Sequence, residues 1–300
     1  MTFTTTIKNE ISKNETNRIE SLIELNTYLK FNAVIKNDSI SIFIENASVA
    51  RRVFKLLKVI YGVTINLKIR QQKKFSITTI YILEVKEKIN EIIKNINSTT
   101  YNSEEEKIAY LRGLFLATGS VNDPKTSQYH LEFLIPIKKY ATITNRILKS
   151  FSFNSKIIKR EKGYMVYLKS SEEISDFIKL LGATNALFYF EDIRIYRDHK
   201  NMVNRLNNCE QANLEKSIKT ANDQVNKILF LKEHDLFNLL DDKTKIIMDY
   251  RIRYRENTYQ ELADIISMET DIKLTKSGIN HRLRKVNEIY TRYINKNEEK

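Results

Sequence analysis

Residues Ile108–Gly119 read IAYLRGLFLATG, and Ser21–Ala33, near the start of the chain, reads SLIELNTYLKFNA. Both carry apolar residues at helical spacing, amphipathic in the earlier stretch and more apolar in the later. The same order of elements follows each. After the earlier come an alternating strand (Ser39–Ile44), a helix (Ala47–Tyr61), two strands (Val63–Arg70 and Ile77–Val85) and a helix (Glu87–Ile96). After the later come a strand (Gln128–Leu134), a helix (Lys138–Phe151), two strands (Ser155–Arg160 and Tyr164–Leu168) and a helix (Glu172–Leu181). Leu56-Leu57-Lys58 lies over Ile147-Leu148-Lys149, and Glu87-Lys88-Ile89 over Glu172-Glu173-Ile174. The register slips between these anchors because the hairpin loop near Gln71–Phe75 has a shorter counterpart around Glu161–Gly163. Self-similarity in fixed order at this length predicts a duplicated α+β unit, too long for a solenoid repeat.

The duplication accounts for residues 1–100 and 101–188. Glu191–Glu233 is polar, lacks Gly and Pro, and keeps regular apolar residues, so 189–235 reads as an ordered linker of one or two helices. Residues 236–300 form an all-helical module with a frayed tail at Lys296–Lys300. A chain of 300 residues is long enough for two domains. It has no apolar run long enough for a membrane span and no basic head with an apolar core at its N-terminus. The single cysteine, Cys209, cannot form an internal disulfide, which fits a reducing cytoplasm. It reads as a buried small thiol.

The net charge of +13 attracts polyanions, nucleic acid before an anionic membrane, although an AT-rich coding bias would also enrich lysine. The distribution of charge decides. Three helical patterns follow one another in the C-terminal module. The first is Asp241–Arg255, with Ile246, Ile247, Tyr250 and Tyr254 on one face. The second opens with Thr258-Tyr259-Gln260-Glu261, a capping box, and buries Leu262, Ile265 and Ile266. After a turn at Ser267–Lys273, Thr275 or Ser277 caps a third helix that runs to about Tyr290 and buries Ile279, Leu283, Val286 and Ile289. This is helix-turn-helix architecture, spanning about Thr258 to Arg292. From Lys273 to Arg292 six basic residues face one acid, whereas Asp241–Ile272 carries five against eight. The third helix therefore faces the polyanion. Lys276, Ser277, Asn280, His281 and Arg284 lie on its exposed face. Ser277 and the helix N-terminus suit phosphate, Asn280 suits adenine and Arg284 guanine, while Arg282 and Lys285 suit phosphates. Double-stranded DNA is the expected partner.

The helix Leu111–Gly119 resembles the LAGLIDADG motif of homing endonucleases. In that family two such helices pack through small third and ninth residues, and an acid at the eighth binds the catalytic divalent metal. The resemblance makes Gly113 and Gly119 packing residues in the second copy and Thr27 and Ala33 in the first. It places Thr118 and Asn32 at the former metal positions. Neither is an acid, so the resemblance implies a nuclease scaffold without its hydrolytic chemistry, no bound metal and no cofactor. A displaced metal site would have to draw on Glu24 or Asp123. The two-copy domain followed by a helix-turn-helix is similar to the WhiA family over essentially the whole chain. The stretches that carry this likeness are YLRGLFLATGSVNDPK (Tyr110–Lys125), NRLNNCEQANL (Asn204–Leu214) and TKSGINHRLRKVNE (Thr275–Glu288). At Ala33 the sequence departs from the glycine usual in that family.

The resemblance implies a cytoplasmic, nucleoid-associated transcription regulator of cell division and chromosome segregation, with other transcription or division proteins as further partners. A division scaffold with secondary DNA binding is the alternative; a metal-dependent endonuclease is a third. The remaining polar residues are less telling. His130, His199, His234 and His281 lack metal-ligand spacing, and no Gly-rich phosphate loop occurs. Arg112 is expected to pair with Glu24 or Glu132. Lys68, Arg70, Lys73 and Lys74, matched by Lys156, Lys159, Arg160 and Lys162, read equally as a weak phosphate contact or as solvated strand edges.

Overall fold

The computed structural model describes residues 2–36, 38–73, 77–98, 101–126 and 128–298. Lys74 and Phe75, the side chain of Lys73, and residues 299–300 of the expected tail lie outside the described residues. The chain divides into two units between Asp198 and His199.

The first unit opens with a helix the sequence reading did not include, α1 (Phe3–Ile11). Its run of threonines hides a stripe of three buried residues, Phe3, Ile7 and Ile11, at every fourth position. The duplicated halves follow. The first comprises α2 (Arg18–Asn32), β1 (Ala33–Ile35), β2 (Ile40–Ile44), α3 (Ala47–Tyr61), β3 (Ile65–Lys73), β4 (Ile77–Val85) and α4 (Ile89–Ser98). The second comprises α5 (Glu104–Thr118), β5 (Gly119–Val121), β6 (Leu131–Ile135), α6 (Lys138–Ser150), β7 (Lys156–Arg160), β8 (Gly163–Leu168) and α7 (Ser171–Leu180). Each half is αββαββα, and each sheet is antiparallel with the same connectivity, β1-β2-β4-β3 and β5-β6-β8-β7. The edge strands β1 and β5 have three residues each, too few for alternation to betray them.

The two motif helices, α2 and α5, pack together at the centre. Ser21, Ile23, Glu24, Leu25, Asn26, Thr27, Tyr28 and Leu29 of α2 are all buried. The amphipathic reading of this helix is therefore corrected: it is buried almost all round, because it faces α5 as well as its own half. Gly113 permits the approach. A Cβ there would lie 2.3 Å from the Glu24 carbonyl oxygen and 3.0 Å from Thr27 Cβ.

The internal alignment holds at its first anchor, since Leu56 and Ile147 are each the tenth residue of their helices. At the second anchor it shifts by one. Glu87 accepts from the Thr64 N–H (3.1 Å), and the residue doing the same for Asn154 (2.8 Å) is Glu173, not Glu172. The register slip between anchors lies in the hairpin arms as well as the turn: β3 and β4 have nine residues each, β7 and β8 five and six.

α8 (Thr184–Glu233) is one continuous helix of 50 residues, and the division between units falls within it. The second unit continues through a 3-10 turn (Leu236–Leu239) to α9 (Asp242–Arg253), α10 (Tyr259–Glu269) and α11 (Lys276–Glu298). Its core joins Ile228 and Leu231 of α8 to Ile247, Met248, Leu262, Ala263, Ile266, Ile279, Leu283 and Val286. Further back on α8, the Asn204–Leu214 stretch is exposed, and so is Cys209. The expectation of a buried thiol is thus corrected; no second layer covers the helix there within this unit. Among the described residues no helix is long and apolar enough to cross a membrane.

Candidate nucleic-acid interface

α10 and α11 are set by the caps that the sequence announces. The Glu261 N–H donates to Thr258 Oγ1 (3.3 Å) and the Thr258 N–H to Glu261 Oε2 (2.7 Å), completing the capping box. Of the two candidates for the next cap, Thr275 holds the position. Its hydroxyl accepts from the Gly278 N–H (3.2 Å) and its carbonyl from the Ile279 N–H (3.0 Å). The connection is displaced from the expected Ser267–Lys273. α10 runs to Glu269, leaving 270–275 between the helices, and α11 extends past Tyr290 to Glu298.

Ile279, Leu283 and Val286 bury one face of α11. Lys276, Ser277, Asn280, His281, Arg284 and Lys285 are exposed on the remainder. Asn280 and Arg284 line a cavity of about 280 Å³ together with Gln224 and Lys227 of α8 and Tyr259 of α10. Arg282 is placed differently. Its guanidinium donates to Asp241 Oδ2 (2.6 Å) and to the Thr244 hydroxyl (3.2 Å), tying α11 to the start of α9. Lys285 stands 3.9 Å from the other Asp241 oxygen. The Thr244 hydroxyl hydrogen bond (2.6 Å), and then the Arg282 charge, hold the Asp241 carboxyl below its ordinary pKa.

One positioning residue escaped the sequence reading. Arg251, buried on α9, donates to the Asn257 carbonyl (2.6 Å) and to Gln224 Oε1 (3.0 Å), and lies over the Tyr259 ring. It fixes the loop that presents Thr258. Only a contact with Gln224, far off in sequence, would have marked it.

In the first unit, the two positions that the motif resemblance assigns to metal ligands, Asn32 and Thr118, bear no anion. Asn32 Nδ2 donates to the Tyr28 hydroxyl (2.6 Å) and Phe43 carbonyl (3.5 Å), and Thr118 Oγ1 to the Leu114 carbonyl (3.4 Å). Both side chains are neutral, and Lys8 of α1 lines the same cavity as Asn32. A divalent cation does not fit this donor set. Burial pushes the Lys8 ammonium down to about 8. The displaced alternatives fare no better. Glu24 is held by Arg52 Nε and Nη2 (2.9 and 3.0 Å) with Arg112 at 3.5 Å, so Arg112 pairs with Glu24 and Glu20 and not with Glu132. Glu132 instead meets His130 (3.1 Å). Asp123 accepts from the Lys125 N–H (2.9 Å). Among the described residues no three His, Cys, Asp or Glu side chains gather as a metal site.

On the outer face of the first sheet Lys68 is paired with Glu84 (3.2 Å), and its neighbour Arg70 is exposed. Lys156, Lys159, Arg160 and Lys162 are exposed on the second.

Comparison with known proteins agrees along the whole chain. Family models match at residues 18–97 (WhiA N-terminal LAGLIDADG-like domain), 106–200 (WhiA LAGLIDADG-like domain) and 203–290 (WhiA C-terminal HTH domain). Proteins named "Probable cell division protein WhiA" from Bacillus cytotoxicus and Bacillus mycoides are each 40% identical over 306 residues, covering 96% of both chains. The crystal structure of full-length DUF199/WhiA from Thermatoga maritima superposes with a TM-score of 0.61 at 24% identity, over 97% of this chain and 99% of that one. The structure of an isolated N-terminal LAGLIDADG domain of DUF199/WhiA gives a TM-score of 0.53, also at 24% identity, over 60% of this chain and 90% of its own. With a duplicated LAGLIDADG-like fold, a helix-turn-helix behind it and relatives of this closeness, the chain belongs to the WhiA family.

Proposed function

We propose that this protein is a sequence-specific DNA-binding regulator acting in cell division and chromosome segregation, at work on the nucleoid in the cytoplasm, and that it hydrolyses nothing. The observation that carries this reading is the exposed face at the start of α11. There Lys276, Ser277, Asn280, His281 and Arg284 make no ion pair with a carboxylate among the described residues; Asp223 of α8, which lines the cavity beside Asn280 and Arg284, is taken by Lys227 (2.5 Å). In this reading the N-terminus of α11 and Ser277 hold phosphates, and Asn280 and Arg284 read base edges in the major groove. Lys285 and Arg282 add phosphate contacts, Arg282 by exchanging Asp241 for the duplex. The relatives' name supplies the division role, and the neutral Asn32 and Thr118 support the loss of cleavage.

A mobility shift on genomic fragments tests it. Binding should fall steeply with salt, and the Asn280→Ala/Arg284→Ala double variant should lose on the order of 10- to 100-fold in affinity. Unchanged binding refutes the assignment. Plasmid incubated with Mg²⁺ or Mn²⁺ should stay intact. A scaffold role for division proteins is favoured by a separate observation, the exposed Leu206, Leu214 and Ile218 of α8. Leu206→Asp/Leu214→Asp would then abolish the division phenotype while leaving the mobility shift unchanged.

A further inference from the structure

The cavity beside Asn32 encloses about 530 Å³, in the range of small-molecule sites. One face of α1 supplies Thr4, Thr5 and Lys8; Tyr28 and Asn32 come from α2, and Leu116 and Ala117 from α5. Its polar groups are unevenly satisfied. Thr4 is engaged with the Val121 backbone, donating to the carbonyl (2.9 Å) and accepting from the N–H (2.8 Å). Asn46 donates to Asn9 and accepts from the Ser48 and Val49 N–H groups. Lys8 is different. Its ammonium makes no hydrogen bond or ion pair to any described residue and stands over the Phe115 ring, 5.7 Å from the centroid. Glu45, the carboxylate on the cavity lining, does not pair with it. The Tyr28 hydroxyl accepts from Asn32, which leaves its own proton to give.

A half-buried ammonium on a cavity wall, with no carboxylate paired to it, is stabilised by an anion in that cavity. We propose that this cavity is an oxyanion site whose ligand is a phosphoryl group, with Lys8 supplying the charge and Tyr28 a hydrogen bond; the Thr5 hydroxyl on the wall is shared with Thr2 (2.8 Å). The former cation position has thus reversed its polarity. The site lies wholly in the first unit and does not rest on α11 binding DNA. A phosphoryl group can come from a free phosphorylated metabolite or from a DNA backbone diester; the chemistry is shared, and the test separates the two.

Thermal unfolding of the full chain is followed in chloride and in inorganic phosphate at matched ionic strength, for the wild type, Lys8→Met and Lys8→Arg. Phosphate at ten times its Kd should raise the wild-type Tm by about 3 °C. It should raise Lys8→Arg less and leave Lys8→Met unmoved. An equal rise in wild type and Lys8→Met, or no rise in either, overturns the proposal. Duplex binding is then measured with Asn280→Ala/Arg284→Ala, with and without Lys8→Met. Residual affinity that disappears with Lys8 assigns the site to backbone diesters, and a phosphate effect with no such residue assigns it to a free phosphoryl ligand.

Discussion

The two halves of the duplicated unit solve one packing problem with different chemistry. In each, the motif helix must be fastened to the helix that crosses behind its sheet. The first half uses charge: Glu24 on α2 takes two hydrogen bonds from Arg52 on α3, both residues being buried. In the second half Tyr110 on α5, the match of Glu24, shares a 2.7 Å hydrogen bond with Thr144 on α6, one residue beyond the match of Arg52. The geometry of the duplication has outlived its side chains. A neutral pair tolerates the loss of one member, whereas a buried ion pair leaves an uncompensated charge when broken.

The largest effect should come from breaking the charged seam. Arg52→Met strands Glu24, with Arg112 only at 3.5 Å, and is expected to cost about 3–5 kcal/mol in urea unfolding. The double variant Glu24→Met/Arg52→Met should recover most of it. A single-variant cost as small as that of the neutral seam would break the comparison. Next comes the contact between the halves. Gly113→Ala drives a methyl against the Glu24 carbonyl and should cost about 2–3 kcal/mol, read as a lower denaturation midpoint with an unchanged slope. The neutral seam is milder: Tyr110→Phe should cost about 1–2 kcal/mol.

The smallest effect has the opposite sign. Because the Lys8 pKa is lowered to about 8 in the folded chain, against 10.5 for the ordinary lysine, the penalty of charging it is fully present below pH 8. It fades as pH rises from 8 to 10.5. Lys8→Met should therefore stabilise the ligand-free chain at pH 7, by about 1 kcal/mol, and the gain should shrink toward pH 10. A gain that persists at pH 10 would be packing, not charge.

The residues explain what was legible. Order and type of the longer elements follow from periodicity, and both caps of the helix-turn-helix stand in the sequence as Thr258-x-x-Glu261 and Thr275. The motif places Asn32 and Thr118 at the ends of α2 and α5, where both helices do end. What escaped is non-local or short. Arg52 meets Glu24 across 28 residues and Arg251 meets Gln224 across 27, with no pattern joining them. The bond from Arg282 to Asp241 spans 41 residues and likewise left no trace in the sequence. Lys8 could not be placed without α1, whose threonines disguise its helix, and the three-residue strands fall below any period.

α1 also sets the order in which the protein can assemble. Thr4 of α1 bonds to Val121, Glu10 accepts the Asn185 and Ala186 N–H groups at the start of α8, and Asn14, just past α1, donates to the Leu181 and Gly182 carbonyls. This segment thus finds its partners among residues translated on the order of 6–35 s after it. Until then the N-terminal segment waits undocked. Closure of the unit is a late event on the nascent chain, and the lysine it carries reaches its cavity only when both halves have been synthesised.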